Sequence, residues 1–192
     1  VRYGVAPDHP EVKSVQDDFE DVATSERFSY AGHVFVGHPE DDDNLLRIDV
    51  DNYGGTRLAV DHLVGLGRQR IAYVGPNDDF VFGVERLEGF RDALAAVGRL
   101  TDDRWIQLAE PTVAGGYAAA AEVLPEAPDA IFAATDTMAL GVFKALIDRG
   151  LRVPDDVAVV GFDGLPRGPH TDPELTTVVQ PVADVGRAAV SV

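Results

Sequence analysis

The stretch Ala130-Ile131-Phe132-Ala133-Ala134-Thr135-Asp136 decides the fold. Five apolar residues in an unbroken run leave no alternate positions for solvent. The run therefore reads as a strand covered on both faces, as in a parallel sheet held between layers of helices. The sequence on either side repeats the theme. After the run, Asp136 is placed to cap a helix through Arg149, Gly150 supplies a left-handed stop, and a further strand spans 157–161. Before it lie an alanine-rich helix over 114–124, the strand Trp105-Ile106-Gln107-Leu108, and a helix over 84–97 with Leu87, Phe90, Leu94 and Val97 on one face. A strand over 70–75 and a helix over 55–66, striped by Ala59, Val60, Leu63 and Val64, come earlier still. Strand and helix alternate, which is the sequence form of βαβ units wound around a parallel sheet.

Residues 1–50 are less regular. Val12, Val15, Phe19 and Val22 fit one helix, His33-Val34-Phe35-Val36-Gly37 fits a strand, and Glu40 to Asp43 form an acidic loop. That loop lacks the alternating ligands, mid-loop Gly and terminal Glu of an EF-hand, so it reads as solvated charge and not as a calcium site.

Composition narrows the function. The 192 residues, 45% of them apolar, suffice for one or two compact units. A net charge of −17 repels phosphate backbones, so the chain is not expected to hold nucleic acid by itself. There is no cysteine, hence no disulfide framework and no thiolate metal site. His9, His33, His38, His62 and His170 are scattered with no i, i+4 pair, and neither a metal nor a cofactor is expected. Phosphate-binding glycine loops and a Gly-x-Ser-x-Gly elbow are absent, which argues against an enzyme. No apolar run approaches the ~20 residues of a membrane span, and the first residues given lack the charged-then-apolar layout of a secretory signal, so a cytoplasmic protein is expected. The sequence opens on Val1 and reads as a fragment or a processed chain.

Open parallel sheets bind ligands outside the carboxyl ends of their strands. The residues placed there are Arg86, Thr135, Asp136, Asp163 and Gln180. A guanidinium, carboxylates, a carboxamide and a hydroxyl aimed at one crevice suit a polyol or similar polar ring. Each also has a structural reading. Arg86 has Glu85 and Glu88 as neighbours for a surface ion pair, Asp136 is a helix cap, Asp163-Gly164 is a turn dipeptide, and Gln180 before Pro181 marks a strand end. Phe80 and Phe82 are candidates to stack on a ring, as is Trp105, for which a core role fits better.

Several segments together resemble the LacI/GalR family of bacterial transcription regulators. They are Asp51-Asn52-Tyr53-Gly54-Gly55-Thr56-Arg57, Arg86-Leu87-Glu88-Gly89-Phe90, Thr135-Asp136-Thr137-Met138-Ala139-Leu140-Gly141, Val153-Pro154-Asp155-Asp156-Val157, Val160-Gly161-Phe162-Asp163 and Leu175-Thr176-Thr177-Val178-Val179-Gln180-Pro181. The resemblance covers roughly residues 33–192. It implies a periplasmic-binding-protein-like α/β fold of two doubly wound parallel-sheet lobes, the first incomplete. Residues 1–67, completed by about 182–192, form the partial N-terminal lobe, and 68–181 form the C-terminal lobe. It implies further that Arg86, Thr135, Asp163 and Gln180 bind a small polar effector between the lobes. A homodimer and a separate helix-turn-helix headpiece would then hold operator DNA. Thr135 stands where the family carries Asn, so a two-handed amide has become a shorter hydroxyl, which argues against a typical hexose-like effector. A periplasmic sugar-binding protein of a transport system is the alternative on the same fold.

Overall fold

The computed structural model describes residues 34–36, 46–77, 79–165 and 173–190. In chain order the elements are β1 (Val34–Val36), β2 (Leu46–Ile48), α1 (Asn52–Gly65), β3 (Ile71–Pro76), α2 (Val81–Ala96), β4 (Ile106–Ala109), α3 (Val113–Val123), β5 (Ala130–Ala133), α4 (Asp136–Asp148), β6 (Ala158–Asp163), β7 (Thr176–Val179) and α5 (Val182–Ala189). The helix expected around 12–22 and the acidic loop at 40–43 lie outside the described residues.

Two compact units divide the chain: Val1–Asp51 with Pro181–Val192, and Asn52–Gln180. In the smaller unit β1 and β2 pair in parallel, Val34 against Leu46 through Val36 against Ile48, and α5 packs on them with Val185 buried.

The larger unit is built on an all-parallel sheet of order β4-β3-β5-β6-β7. The chain leaves β3 toward one side to make β4, then returns past it to make β5, β6 and β7. This is a flavodoxin-type winding order, whose switch point lies between β3 and β5. Both sheet faces are covered, and alternate strand residues serve opposite layers. Tyr73, Phe132, Val160 and Phe162 pack against α1 and α2, whereas Val74, Ile131, Ala133 and Val159 pack against α3 and α4. Burying a side chain such as Phe132 or Leu146 completely stabilises the fold by about 1.5–3 kcal/mol each. The unbroken apolar run at Ala130–Ala133 is fully buried, as its composition requires.

The structure changes four sequence expectations. Helix α1 packs its Ala59, Val60 and Leu63 into the layer it shares with α2, so the larger unit begins at Asn52 and not after residue 67. Its apolar stripe announces a buried face without saying whose core it enters. Helix α2 starts at Val81, a turn before the expected 84, because its N-cap Phe80 has no capping side chain to mark the start. Trp105 belongs to a 3-10 turn ahead of β4, and packs partly buried against the α3/α4 side of the core, in keeping with its core reading. The cap of α4 is Thr135, whose Oγ1 accepts from the Met138 N–H at 3.0 Å, and Asp136 is the first helical residue.

Candidate functional site

Four strands deliver polar residues to one end of the larger unit's sheet. Arg86 lies in the second turn of α2, after β3; Thr135 and Asp136 follow β5; Asp163 ends β6; Gln180 follows β7. The hydrogen bonds described below bring these residues together.

Arg86 occupies a core position. In α2 the buried residues are Gly83, Arg86, Gly89, Phe90, Ala93 and Leu94, one stripe at helical spacing, and Arg86 is only 3% exposed. A surface pairing with Glu85 and Glu88 is therefore not its role. Its guanidinium carbon sits 3.7 Å from the ring centre of Phe162 and 4.8 Å from that of Phe82, a cation held between two aromatic faces. Nε donates to Oδ1 of Asn52 at 2.9 Å, and Nη1 donates to the Ala134 carbonyl and, at 3.4 Å, to Oδ1 of Asp163. Burying a cation costs several kcal/mol unless a counter-charge accompanies it, and Asp163 is that charge.

Asp163 is held from three sides. Its Oδ1 accepts from Nε2 of Gln180 at 2.7 Å, its Oδ2 from the Asp136 N–H at 3.4 Å, and its carbonyl from the Gln180 N–H at 3.0 Å. The backbone has φ +130°, a region L-residues seldom enter, followed by Gly164 at +74°. Such strain costs about 1–3 kcal/mol and persists only where surrounding contacts enforce it. Asp163 thus combines an unusual backbone conformation with a carboxylate that meets Arg86 and Gln180. Burial raises its pKa above the ordinary carboxylate value, opposed by Arg86 and reinforced by the nearby Asp136 charge.

Asp136 is buried and committed to structure. Its Oδ1 accepts from the Thr177 hydroxyl at 2.6 Å and its Oδ2 from the Leu165 N–H at 2.8 Å, so it fastens β7 and the residues after β6. The first turn of α4 favours its negative charge. Thr135 spends its oxygen on the cap and keeps its hydroxyl proton as a donor. Phe80 and Phe82, both half-buried, pair with ring centres 5.5 Å apart, and only Phe82 reaches Arg86.

Two glycines in the quoted motifs have a packing cause. A Cβ on Gly89 would lie 2.6 Å from the Tyr53 carbonyl oxygen, and one on Gly141 would lie 2.1 Å from the Val113 carbonyl oxygen. Helices α1/α2 and α3/α4 approach closely because those side chains are absent. Sequence reasoning left Asn52, Phe162 and Thr177 without roles, although each lies within or beside a quoted motif. Among the described residues there is no cluster of three or more metal-ligating side chains, and no helix long and apolar enough to cross a membrane.

This winding order gathers polar groups at one end of the sheet. Residues 60–192 match the family described as the periplasmic binding protein-like domain, and the chain belongs to that family. Curated relatives are the HTH-type transcriptional regulator CelR of Thermobifida fusca, 41% identical over 83% of this chain and 47% of that protein, and GalS of Salmonella typhimurium, 37% identical over 73% of this chain and 42% of that protein. The chain spans about half the length of these relatives. Among solved structures, a transcriptional regulator CelR–cellobiose complex superposes with a TM-score of 0.78 at 38% identity, over 84% of this chain and 50% of that one. A LacI-family regulatory protein from Chloroflexus aggregans also gives 0.78, at 34% identity, over 83% of this chain and 58% of that one. These similar proteins are regulators, which upholds the LacI/GalR resemblance over the transport-protein alternative.

Proposed function

We propose that this chain is the ligand-sensing part of a LacI-type transcriptional regulator, and that it takes a small sugar-like effector at the carboxyl ends of β3, β5, β6 and β7. The observation that carries the reading is the Arg86–Asp163–Gln180 cluster, a partly exposed donor and acceptor set around the buried Arg86 at the sheet's switch end, in a chain 38% identical to a regulator solved with cellobiose. Arg86 and Gln180 offer N–H donors, Asp163 offers carboxylate acceptors, and Thr135 offers a hydroxyl proton, which together match the hydroxyl groups of a carbohydrate. Phe82 supplies an apolar face beside them. Asp136 positions the site and does not touch the effector.

Regulation requires the effector to favour one conformation of the whole regulator over another, typically by about 1–3 kcal/mol. The whole protein is read as a cytoplasmic homodimer whose helix-turn-helix segment holds operator DNA, a task that the −17 charge of this chain does not suit. No catalytic step is assigned to it.

The test is calorimetric titration of the chain with cellobiose and a panel of mono- and disaccharides, repeated on Asp163→Ala. Saturable binding of at least one sugar, weakened about a hundredfold or more in the variant, supports the reading. A sugar bound equally well by both proteins removes Asp163 from the site, and binding of no sugar in the panel overturns the carbohydrate effector.

A further inference from the structure

The carboxamide of Asn52, only 1% exposed, lies between two charged side chains. Its Oδ1 accepts from Nε of Arg86 at 2.9 Å, and its Nδ2 donates to Oε2 of Glu85 at 2.8 Å. The second bond fixes the sense of the first. With Nδ2 engaged by a carboxylate, the amide cannot turn its NH2 group against the guanidinium. Arg86 reaches Asp163, and Asp163 accepts from Gln180, so one hydrogen-bonded series runs Glu85, Asn52, Arg86, Asp163, Gln180.

Two members of this series occupy special places in the chain. Asn52 is the first residue of the larger compact unit and Gln180 is the last. Each point at which the polypeptide passes between units therefore adjoins a residue bonded directly to the Arg86–Asp163 pair. Bonds in a buried network polarise one another, so a change at its centre is felt at both ends.

We infer that Asn52 is a positioning residue of the effector site: its carboxamide holds the Arg86 guanidinium against Asp163 and, with Gln180, ties that pair to both crossings of the chain. The inference rests on the proposal that the pair receives the effector. Asn52 itself touches no effector; it acts through the orientation of Arg86. An effector that draws on Arg86 or Asp163 competes for donors and acceptors that Asn52 and Gln180 already use.

The experiment uses the whole chain and two neutral variants, Asn52→Leu and Asn52→Ser. Leucine keeps the branched outline and removes both hydrogen bonds, at a larger volume. Serine removes the amide but admits water, and preserves the fold if leucine does not. Two readouts are taken: cellobiose affinity by calorimetry, and the titration of the Asp163 carboxyl carbon by NMR without sugar. Asn52→Leu is expected to weaken cellobiose about tenfold or more. It also moves the Asp163 titration further upward, because a displaced guanidinium opposes burial less. Asn52→Ser shifts both in the same direction by less. A merely structural asparagine would leave the Asp163 titration where it is. An unmoved titration in the folded variants overturns the inference, even where cellobiose still binds the unaltered chain. A titration that moves while the unaltered chain ignores cellobiose sinks the sugar reading and leaves the positioning role standing.

Discussion

The two ends of the larger unit's sheet use the same residue type for different ends. At the amino end, beside the starts of β3, β5 and β6, Nη2 of Arg68 donates to the Pro154 carbonyl, Nε of Arg70 to that of Ala127, and Nη1 of Arg99 to that of Arg68, all at 2.7 Å. Asp129 accepts from the N–H groups of Gln69 and Arg70. These arginines staple turns, and their targets are neutral carbonyls, one of them that of the left-handed Ala127 at φ +52°. At the carboxyl end a single arginine is buried between two aromatic rings, faces a carboxylate, and is opposed by a residue at φ +130°. A buried charge and a residue at φ +130° held by three neighbours are costly features, and among the described residues they coincide at that end. The contrast separates arginines that hold the chain together from the one proposed to recognise a ligand.

The largest expected effect is at Arg86. Arg86→Ala removes the counter-charge of a half-buried carboxylate and leaves the Asn52 and Ala134 acceptors without this donor, so the unfolding free energy from urea titration should fall by about 3 kcal/mol. Burial makes Arg86 a part of the fold as well as of the proposed site. A loss below about 1 kcal/mol would erase the distinction between the two ends.

The next effect isolates backbone from side chain at Asp163. Asp163→Gly and Asp163→Ala both delete the carboxylate, but only glycine accepts φ +130° freely. The glycine variant should be the more stable by about 1 kcal/mol. Equal stability would mean that the strain is absent.

Acidity sharpens the comparison further. Because its pKa is raised in the folded state, Asp163 favours folding most at pH below its ordinary 3.8, and that contribution is lost as pH rises through the folded value. Asp163→Asn cannot titrate. The stability of the unaltered chain relative to this variant should therefore decline as pH rises above 3.8, read from denaturation midpoints across the range. A relative stability that instead climbs with pH would reverse the assignment, making Arg86 and not burial the stronger influence on Asp163. The smallest effect is at the amino end, where Arg70→Ala should cost less than about 1 kcal/mol, an exposed staple being readily replaced by water.

Much of this was legible in the sequence because burial on both faces leaves a plain mark. The run at Ala130–Ala133, the glycine stops at Gly67, Gly98 and Gly150, and the strand–helix alternation fix the layers and place Arg86, Asp136, Asp163 and Gln180 at strand ends. Other features leave no such mark. Arg86 sits between two glutamates in sequence, and only its spacing of three from Gly83 and four from Phe90 betrays a core position. Thr135 and Asp136 are both good caps, and one residue of register decides which oxygen meets the Met138 N–H. Asn52 pairs with Arg86 across 34 residues, a contact no local pattern reports.

The most direct measurement follows backbone amide signals by NMR as cellobiose is added. The account predicts shifts concentrated at Arg86, Thr135, Asp163 and Gln180, with Arg68, Arg70 and Asp129 unmoved. Shifts centred on the amino-end residues, with the carboxyl-end set silent, would contradict it.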